Sequence, residues 1–339
     1  VQKANSVIHR YWDVDYVPNN NMKWSLQSQF DRAKRKAGIL ALSFLCGPCL
    51  AGTAKNLAVN RIFGSDMVLQ RDKPVVVYGQ ALASSGTVDV TFGEVTKSAT
   101  VDASGQWEVS FNPMAAGGPY TMTIAAEATV SLTNILIGEV WLASGQSNMH
   151  YQLRAVDRGD VESAQANFPK IRIRGSNVVG SNTPNEESPG GTWKICTPAN
   201  APFFSGTGYY FAKSLHQELG VPVGVIVVAL SGSPLERWAP IGTMAGDPVY
   251  QRYIGDYLAG GKQYQPATLF NGMIHPLRKL SFRGVIWWQG EANSTRSGEY
   301  RTLFRRMIEA WRLACHMGNF PFLFVQLASY KTTNPPDPG

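Results

Sequence analysis

Ile137-Gly-Glu-Val-Trp-Leu-Ala-Ser-Gly-Gln-Ser-Asn-Met149 decides how this chain is read. Residues 137–142 are mostly apolar and β-prone, the pattern of a buried strand. The run breaks at Ser144-Gly145 into a tight turn, which leaves Ser147 just beyond the strand end. In open α/β sheets, ligands bind outside the carboxyl ends of the strands, where the next turn and helix start present their N–H groups. A serine there has both the access and the neighbouring donors that a nucleophile needs. It equally suits a plain strand-to-helix turn in which Ser147 caps the following helix. The rest of the chain has to choose between the two.

Downstream, the pattern repeats. Pro222-Val-Gly-Val-Ile-Val-Val-Ala-Leu230 is a near-continuous apolar run, as in a strand covered on both faces, and it ends at Ser231-Gly-Ser-Pro-Leu-Glu-Arg-Trp238. Gly232 there can let a backbone N–H approach a ligand closely. Arg283-Gly-Val-Ile-Trp-Trp288 reads as a third strand with Gln289-Gly-Glu-Ala-Asn293 at its end, and Phe322–Leu327 as a fourth. Between them, Gly208–Leu219 reads as a helix with Phe211, Leu215 and Leu219 on one face, closed by Gly220. Tyr300–Cys315 reads as an amphipathic helix carrying Leu303, Phe304, Met307, Ile308 and Trp311. This strand–helix alternation implies a parallel sheet with helices on both faces. Residues 150–205 are polar and rich in Gly, Pro and Asn, the texture of surface loops around a cleft.

Upstream the texture differs. Val75–Tyr78, Thr87–Phe92 and Gln106–Phe111 alternate apolar and polar residues, with turns at 102–105 and at Gly118-Pro119. Closely spaced short strands suggest a small all-β sandwich over residues 55–135, with a structural or sugar-contacting accessory role. Residues 136–339 then form the α/β domain.

With 339 residues, 44% hydrophobic and 16% charged, the chain can bury a sizeable core. Its net charge of +7 falls largely in residues 1–54, with no basic block elsewhere, which argues against a nucleic-acid partner. That leading segment reads as an export signal. The cluster Arg32-Ala-Lys-Arg-Lys36 precedes an apolar run over 37–50, and Gly52-Thr-Ala54 suits cleavage before Lys55. Met22 reads as the start of translation. The run is short for a membrane span, so a periplasmic or secreted protein is expected, with a short membrane anchor as the competing reading. Cys46 and Cys49 would leave with the leader, and Cys196 and Cys315 could form one disulfide.

Acyl transfer through serine needs a nucleophile and donors aimed at the oxyanion. The N–H groups of Ser147 and Gly232, with the side-chain amide of Gln289, could supply such a hole. At this point the chain resembles a known group. Gly138–Leu142 with Gly145-Gln-Ser-Asn-Met149, followed by Trp287-Trp-Gln-Gly-Glu-Ala-Asn293, is similar to the sialate O-acetylesterase and related carbohydrate acetylesterase family of the SGNH (GDSL-like) hydrolases. The likeness extends through Phe63–Arg71, Asn271–Leu277 and Phe320–Leu327, so it covers roughly residues 60–330. It implies an SGNH-type three-layer α/β/α domain with a parallel sheet, and removal of acetyl groups from sugar hydroxyls without metal or cofactor. By motif, Ser147 would be the nucleophile, Gly232 the second oxyanion donor and Gln289 the third. The family usually has two glycines where this chain has Ser231-Gly232.

Serine attack also needs a histidine to take the proton, oriented by a carboxylate. The family places this pair in a motif downstream of the Phe-Val-Gln-Leu strand, and no Asp-x-x-His occurs in this chain. His9, His150, His216, His275 and His316 offer no oriented carboxylate partner by spacing. The expectation is therefore an esterase whose His and Asp lie beyond Gly339, or a glycan-binding protein of the same fold that lacks its base. A base supplied by a second chain stays open, as does the oligomeric state. Glu291 could orient Gln289 or its loop. One of Trp287 and Trp288 should pack in the core, leaving the other for structure or a sugar face.

Overall fold

The computed structural model describes residues 52–261 and 265–328. The leader, with Cys46, Cys49, His9 and Met22, lies outside them apart from its last three residues. Of these, Ala54 is fully buried and its N–H bonds Thr87 O at 2.9 Å, so cleavage before Lys55 would remove a buried contact.

The first strands are β1 (Ala58–Val59), β2 (Val68–Gln70), β3 (Val75–Gln80), β4 (Thr87–Phe92), β5 (Val95–Thr100), β6 (Gln106–Phe111), β7 (Gly117–Ala125) and β8 (Thr129–Gly145). In β4 the alternation Val88, Val90, Phe92 is buried, and in β6 Trp107, Val109 and Phe111 are, as period two requires. Strands β1, β3 and β6 make one sheet, while β5, β4, β7 and β8 follow one another in a larger one. Gly118-Pro119 lies inside β7, not in a turn between strands; the register against β8 shifts around it, which tolerates the missing N–H.

β8 organises the molecule. Thr129–Asn134 alternate in burial, and this half pairs antiparallel with β7. Ile135–Gly145 are all buried, because here the strand passes into the middle of a parallel array. There follow α1 (Ser147–His150), α2 (Gly159–Gln165), β9 (Phe168–Gly175), β10 (Trp193–Cys196), α3 (Gly206–Leu219), β11 (Val223–Ala229), α4 (Ile241–Met244), α5 (Pro248–Leu258), β12 (Gly284–Trp288), α6 (Ser297–Cys315) and β13 (Phe322–Phe324). The array runs β9-β11-β8-β12-β13, all parallel, with β10 antiparallel on the outside of β9. The whole is a mixed α/β fold with a large mixed sheet, and β8 is common to its β-rich and its parallel part.

Residues of the parallel strands point alternately to two apolar clusters. Ala143, Val225, Val227 and Ile286 meet Tyr209 and Ala212 of α3, while Leu142, Val228, Val285 and Trp287 meet Leu303, Met307 and Trp311 of α6. In α6 the buried residues recur every fourth position, one stripe of a helix. In α3 the buried face is Gly206, Gly208, Tyr209 and Ala212, flanked by half-buried Phe211 and Leu215; Leu219 is 41% exposed. Small residues on this face let the helix approach the sheet. Ser205 caps it, accepting the Gly208 N–H at 3.0 Å, and Gly220 ends it in the left-handed region.

The stretch 150–205 holds more than loops. β9 lies inside the sheet although its sequence, Phe-Pro-Lys-Ile-Arg-Ile-Arg-Gly, alternates with arginine. Arg174 is fully buried, with Nη1 on Ser176 Oγ (2.7 Å) and Nη2 on Arg61 O (3.0 Å) and Pro189 O (2.9 Å). Burial lowers its pKa to about 10, which leaves the guanidinium charged at neutral pH. Cys196 and Cys315 are free thiols in different clusters, so they form no disulfide with one another. No helix among the described residues is long and apolar enough to cross a membrane.

Candidate active site

Three parallel strands finish level with one another. Gly145 of β8 pairs with Ala229 of β11 on one side and with Trp288 of β12 on the other. Ser147, Gly232 and Gln289 follow these positions by two, three and one residues, so all three leave the same end of the sheet.

Gly145 has φ +136°, and a Cβ there would collide with Trp288 O; that oxygen instead accepts the Gln146 N–H at 2.9 Å. This sharp exit makes Ser147 the first residue of α1, half-buried. Gln146 turns inward, its Oε1 taking the Ala292 N–H at 3.3 Å and the Gly290 N–H at 3.5 Å. Asn148 Nδ2 donates to Glu291 Oε1 at 2.5 Å. Glu291 thus ties the loop after β12 to α1 rather than orienting Gln289.

Gly232 has φ +68° and open space where a side chain would be, so its requirement is conformational. It is exposed, and among the described residues its N–H has no partner, nor have those of Ser147 and Asn148. The following Ser233 is fully buried, with Oγ donating to Leu230 O at 2.7 Å and accepting from Trp238 Nε1 at 2.9 Å.

Gln289 is buried and held from several sides. Its backbone carbonyl accepts from Tyr300 OH at 2.9 Å, and burial pushes that phenol up to about 12. Its Nε2 donates to Ser233 O at 3.1 Å and to Asn293 Oδ1 at 2.8 Å. Asn293 Oδ1 also accepts the Leu235 N–H at 2.8 Å, and Asn293 Nδ2 donates to Glu236 Oε2 at 3.0 Å. Glu236, fully buried, meets Arg296 Nη2 at 2.7 Å through its other oxygen. Asn293 and Glu236 were not singled out from the sequence. The only local signal is position: each lies four residues after a candidate site residue, Asn293 after Gln289 and Glu236 after Gly232.

Trp287 is in the core, edge-on to Trp238 and Trp311. Trp288 is half-buried and lines a cleft of about 200 Å³ with Asn148, Tyr151, Ala155, Val156 and Thr207.

None of the described histidines is hydrogen-bonded to Ser147. His216 Nδ1 lies 2.6 Å from Val221 O, and His316 caps the C-terminus of α6 with φ +52°. His150 is exposed at the end of α1 and lines a small cleft with Gln152, Ser176 and Phe203. His275 does have a carboxylate beside it, Glu186 at 3.4 Å, but Arg278 takes the same carboxylate at 2.7 Å. Burial and the Arg278 charge lower the His275 pKa against the pull of Glu186. Among the described residues, no three His, Cys, Asp or Glu side chains cluster so as to hold a metal ion.

Comparison with known proteins adds a second line. Residues 137–336 match the family described as carbohydrate esterase, sialic acid-specific acetylesterase. Sialate O-acetylesterase of Homo sapiens is 30% identical over 306 residues, 81% of this chain and 58% of the relative; that of Rattus norvegicus is 29% identical over 330 residues, 80% and 60%. The crystal structure of a carbohydrate acetylesterase from Xanthomonas citri superposes with a TM-score of 0.72 at 35% identity, covering 80% of this chain and 60% of that one. The chain therefore spans about three-fifths of the length of these relatives. With a match that takes in all three strand ends, the chain belongs to the carbohydrate esterase family of sialic acid-specific acetylesterases.

Proposed function

We propose that this protein removes O-acetyl groups from carbohydrates through Ser147. The hydroxyl attacks the acetyl carbon as a general base takes its proton and passes it to the departing sugar oxygen, and the charge on the carbonyl oxygen falls to the N–H groups of Ser147 and Gly232 and the amide of Gln289. The sugar oxygen leaves as a hydroxyl, and water then releases acetate from the acyl-serine. The observation that carries this reading is the level ending of β8, β11 and β12, with Gly145 opposite both Ala229 and Trp288. Family membership supports the substrate class. The helices against both faces of the parallel strands support the SGNH-type three-layer arrangement over 136–339, and strands β1–β7 support a β-rich part over 55–135 that shares β8 with it. Export through the basic and apolar leader belongs to the same reading.

Acetate release from O-acetylated sialic acid and from an acetylated plant glycan tests it. Wild type should release acetate from one of them, and Ser147→Ala should lose that activity by at least about a thousandfold, as for removal of other activated nucleophiles. A second reading, a glycan-binding protein without catalysis, is favoured by one observation: among the described residues no histidine is bonded to Ser147. Saturable binding of the acetylated sugar with no acetate release would select it.

A further inference from the structure

The hydrogen bonds around Gln289 permit its carboxamide one orientation. Ser233 O is a backbone carbonyl and can only accept. Asn293 is held with its oxygen towards Gln289, because Oδ1 takes the Leu235 N–H while Nδ2 gives to Glu236. Both oxygens of Glu236 accept, one from Asn293 and one from Arg296. Turning Gln289 over would therefore set its Oε1 against two acceptors, Ser233 O and Asn293 Oδ1, in a buried setting where each lost bond is costly. Oε1 itself is buried without a partner among the described residues, so the orientation is imposed entirely from the nitrogen side.

We infer that Asn293 and Glu236 are positioning residues that aim the N–H end of Gln289 at the Gly232–Ser233 backbone. In the resting protein one hydrogen is locked on Asn293 and the other rests on Ser233 O, where a developing oxyanion can take it over. The same chain ties the loop after β11 to the loop after β12, through Leu235 N–H, Asn293 and Glu236. This rests on the reading of Gln289 as an oxyanion donor.

The polarity of the chain can be reversed and restored by mutation. In Glu236→Gln, the new side chain keeps its oxygen on Arg296 and offers NH₂ to Asn293. Asn293 can then meet it only by turning its oxygen to position 236, which gives up the Leu235 N–H and sets its nitrogen against Gln289, or by leaving two NH₂ groups opposed; either way the hold on the Gln289 amide is lost. Asn293→Asp alone puts two carboxylates together and also fails. With both substitutions, the new amide at position 236 donates to the new carboxylate at position 293, which again accepts from Leu235 and Gln289.

With p-nitrophenyl acetate, Glu236→Gln should lower kcat about tenfold or more, up to the roughly 10²–10³ of losing one oxyanion donor, with KM changed less than about twofold. The double variant should return to within about threefold of wild type, a recovery that loss of fold alone does not produce. Unchanged kcat in Glu236→Gln, or a double variant no better than the single, overturns the inference. Should wild type release no p-nitrophenol, the functional reading fails separately. The orientation is then read from the side-chain ¹⁵N–¹H₂ signals of Gln289, assigned by their loss in Gln289→Glu. They should shift in Glu236→Gln and return in the double variant; signals that stay in place overturn the inference.

Discussion

Gly145 sits directly opposite Trp288 in parallel register, and the Trp288 carbonyl occupies the space a Gly145 side chain would need. The exit of β8 towards Ser147 is thus fixed by what β12 does at its own last residue. Gly145→Ala combines a strained positive φ with a backbone collision. It should cost at least about 2 kcal/mol in a urea melt, since strained residues alone cost about 1–3 kcal/mol. Activity should fall further than stability, because Ser147 lies two residues on. A variant as stable as wild type contradicts this account of the turn.

Glu139 lies buried in β8 between Arg283, at 2.8 Å and 2.9 Å, and Arg71, at 2.6 Å. Burial alone would raise its pKa, but the hydrogen bonds and charges of the two arginines outweigh that and hold it below the ordinary value of 4.5. A depressed carboxylate stabilises the fold fully above its unfolded pKa and loses that contribution as pH falls through the folded one. Wild type should accordingly lose stability as pH drops below about 4.5, and Glu139→Gln should be less stable at pH 7 yet show a shallower acid slope. Parallel melting curves for the two proteins from pH 7 to pH 3 check it; identical slopes would count against the arginine clamp.

Both described cysteines are buried in apolar surroundings, which pushes Cys196 up to about 11 and Cys315 to about 12. At pH 8 their thiolate fraction is roughly one part in a thousand or less. Peptide mapping after alkylation of native protein should find both unmodified, and both modified after denaturation. Rapid native labelling of either would mean the two apolar clusters open readily.

Trp311 of α6 donates to Trp238 O at 2.9 Å and packs edge-on to Trp287. Trp238 closes the loop that begins at Gly232, so the α6 core carries one side of the site. Trp311→Ala should destabilise by about 3–5 kcal/mol, as other buried aromatic truncations do. Trp311→Phe should keep most of the packing and lose the hydrogen bond, at about 1 kcal/mol. Denaturant melts of the pair check the order; equal losses would remove the hydrogen bond from the account.

What could be read from the residues alone follows a physical line. The apolar run of β11 and the helix of α6 announce themselves because one local pattern decides them. β9 did not, since its two arginines look like a solvated face until Ser176, Arg61 O and Pro189 O are folded around Arg174. The length of β8 was hidden for a similar reason: its first half alternates and its second does not, and only the neighbours on each side explain the change. Likewise the loops carrying Ser147, Gly232 and Gln289 stood out by motif, whereas the Asn293–Glu236 bond joins residues 57 apart with no periodicity to mark it.

The central claim is that Ser147, Gly232 and Gln289 face one oxygen-sized point. A crystal structure after reaction with a p-nitrophenyl alkylphosphonate measures this directly. The account predicts a covalent adduct on Ser147 Oγ, with the phosphonyl oxygen about 3 Å from both Gly232 N and Gln289 Nε2. An adduct on another residue, or a phosphonyl oxygen turned to solvent away from both donors, would contradict it.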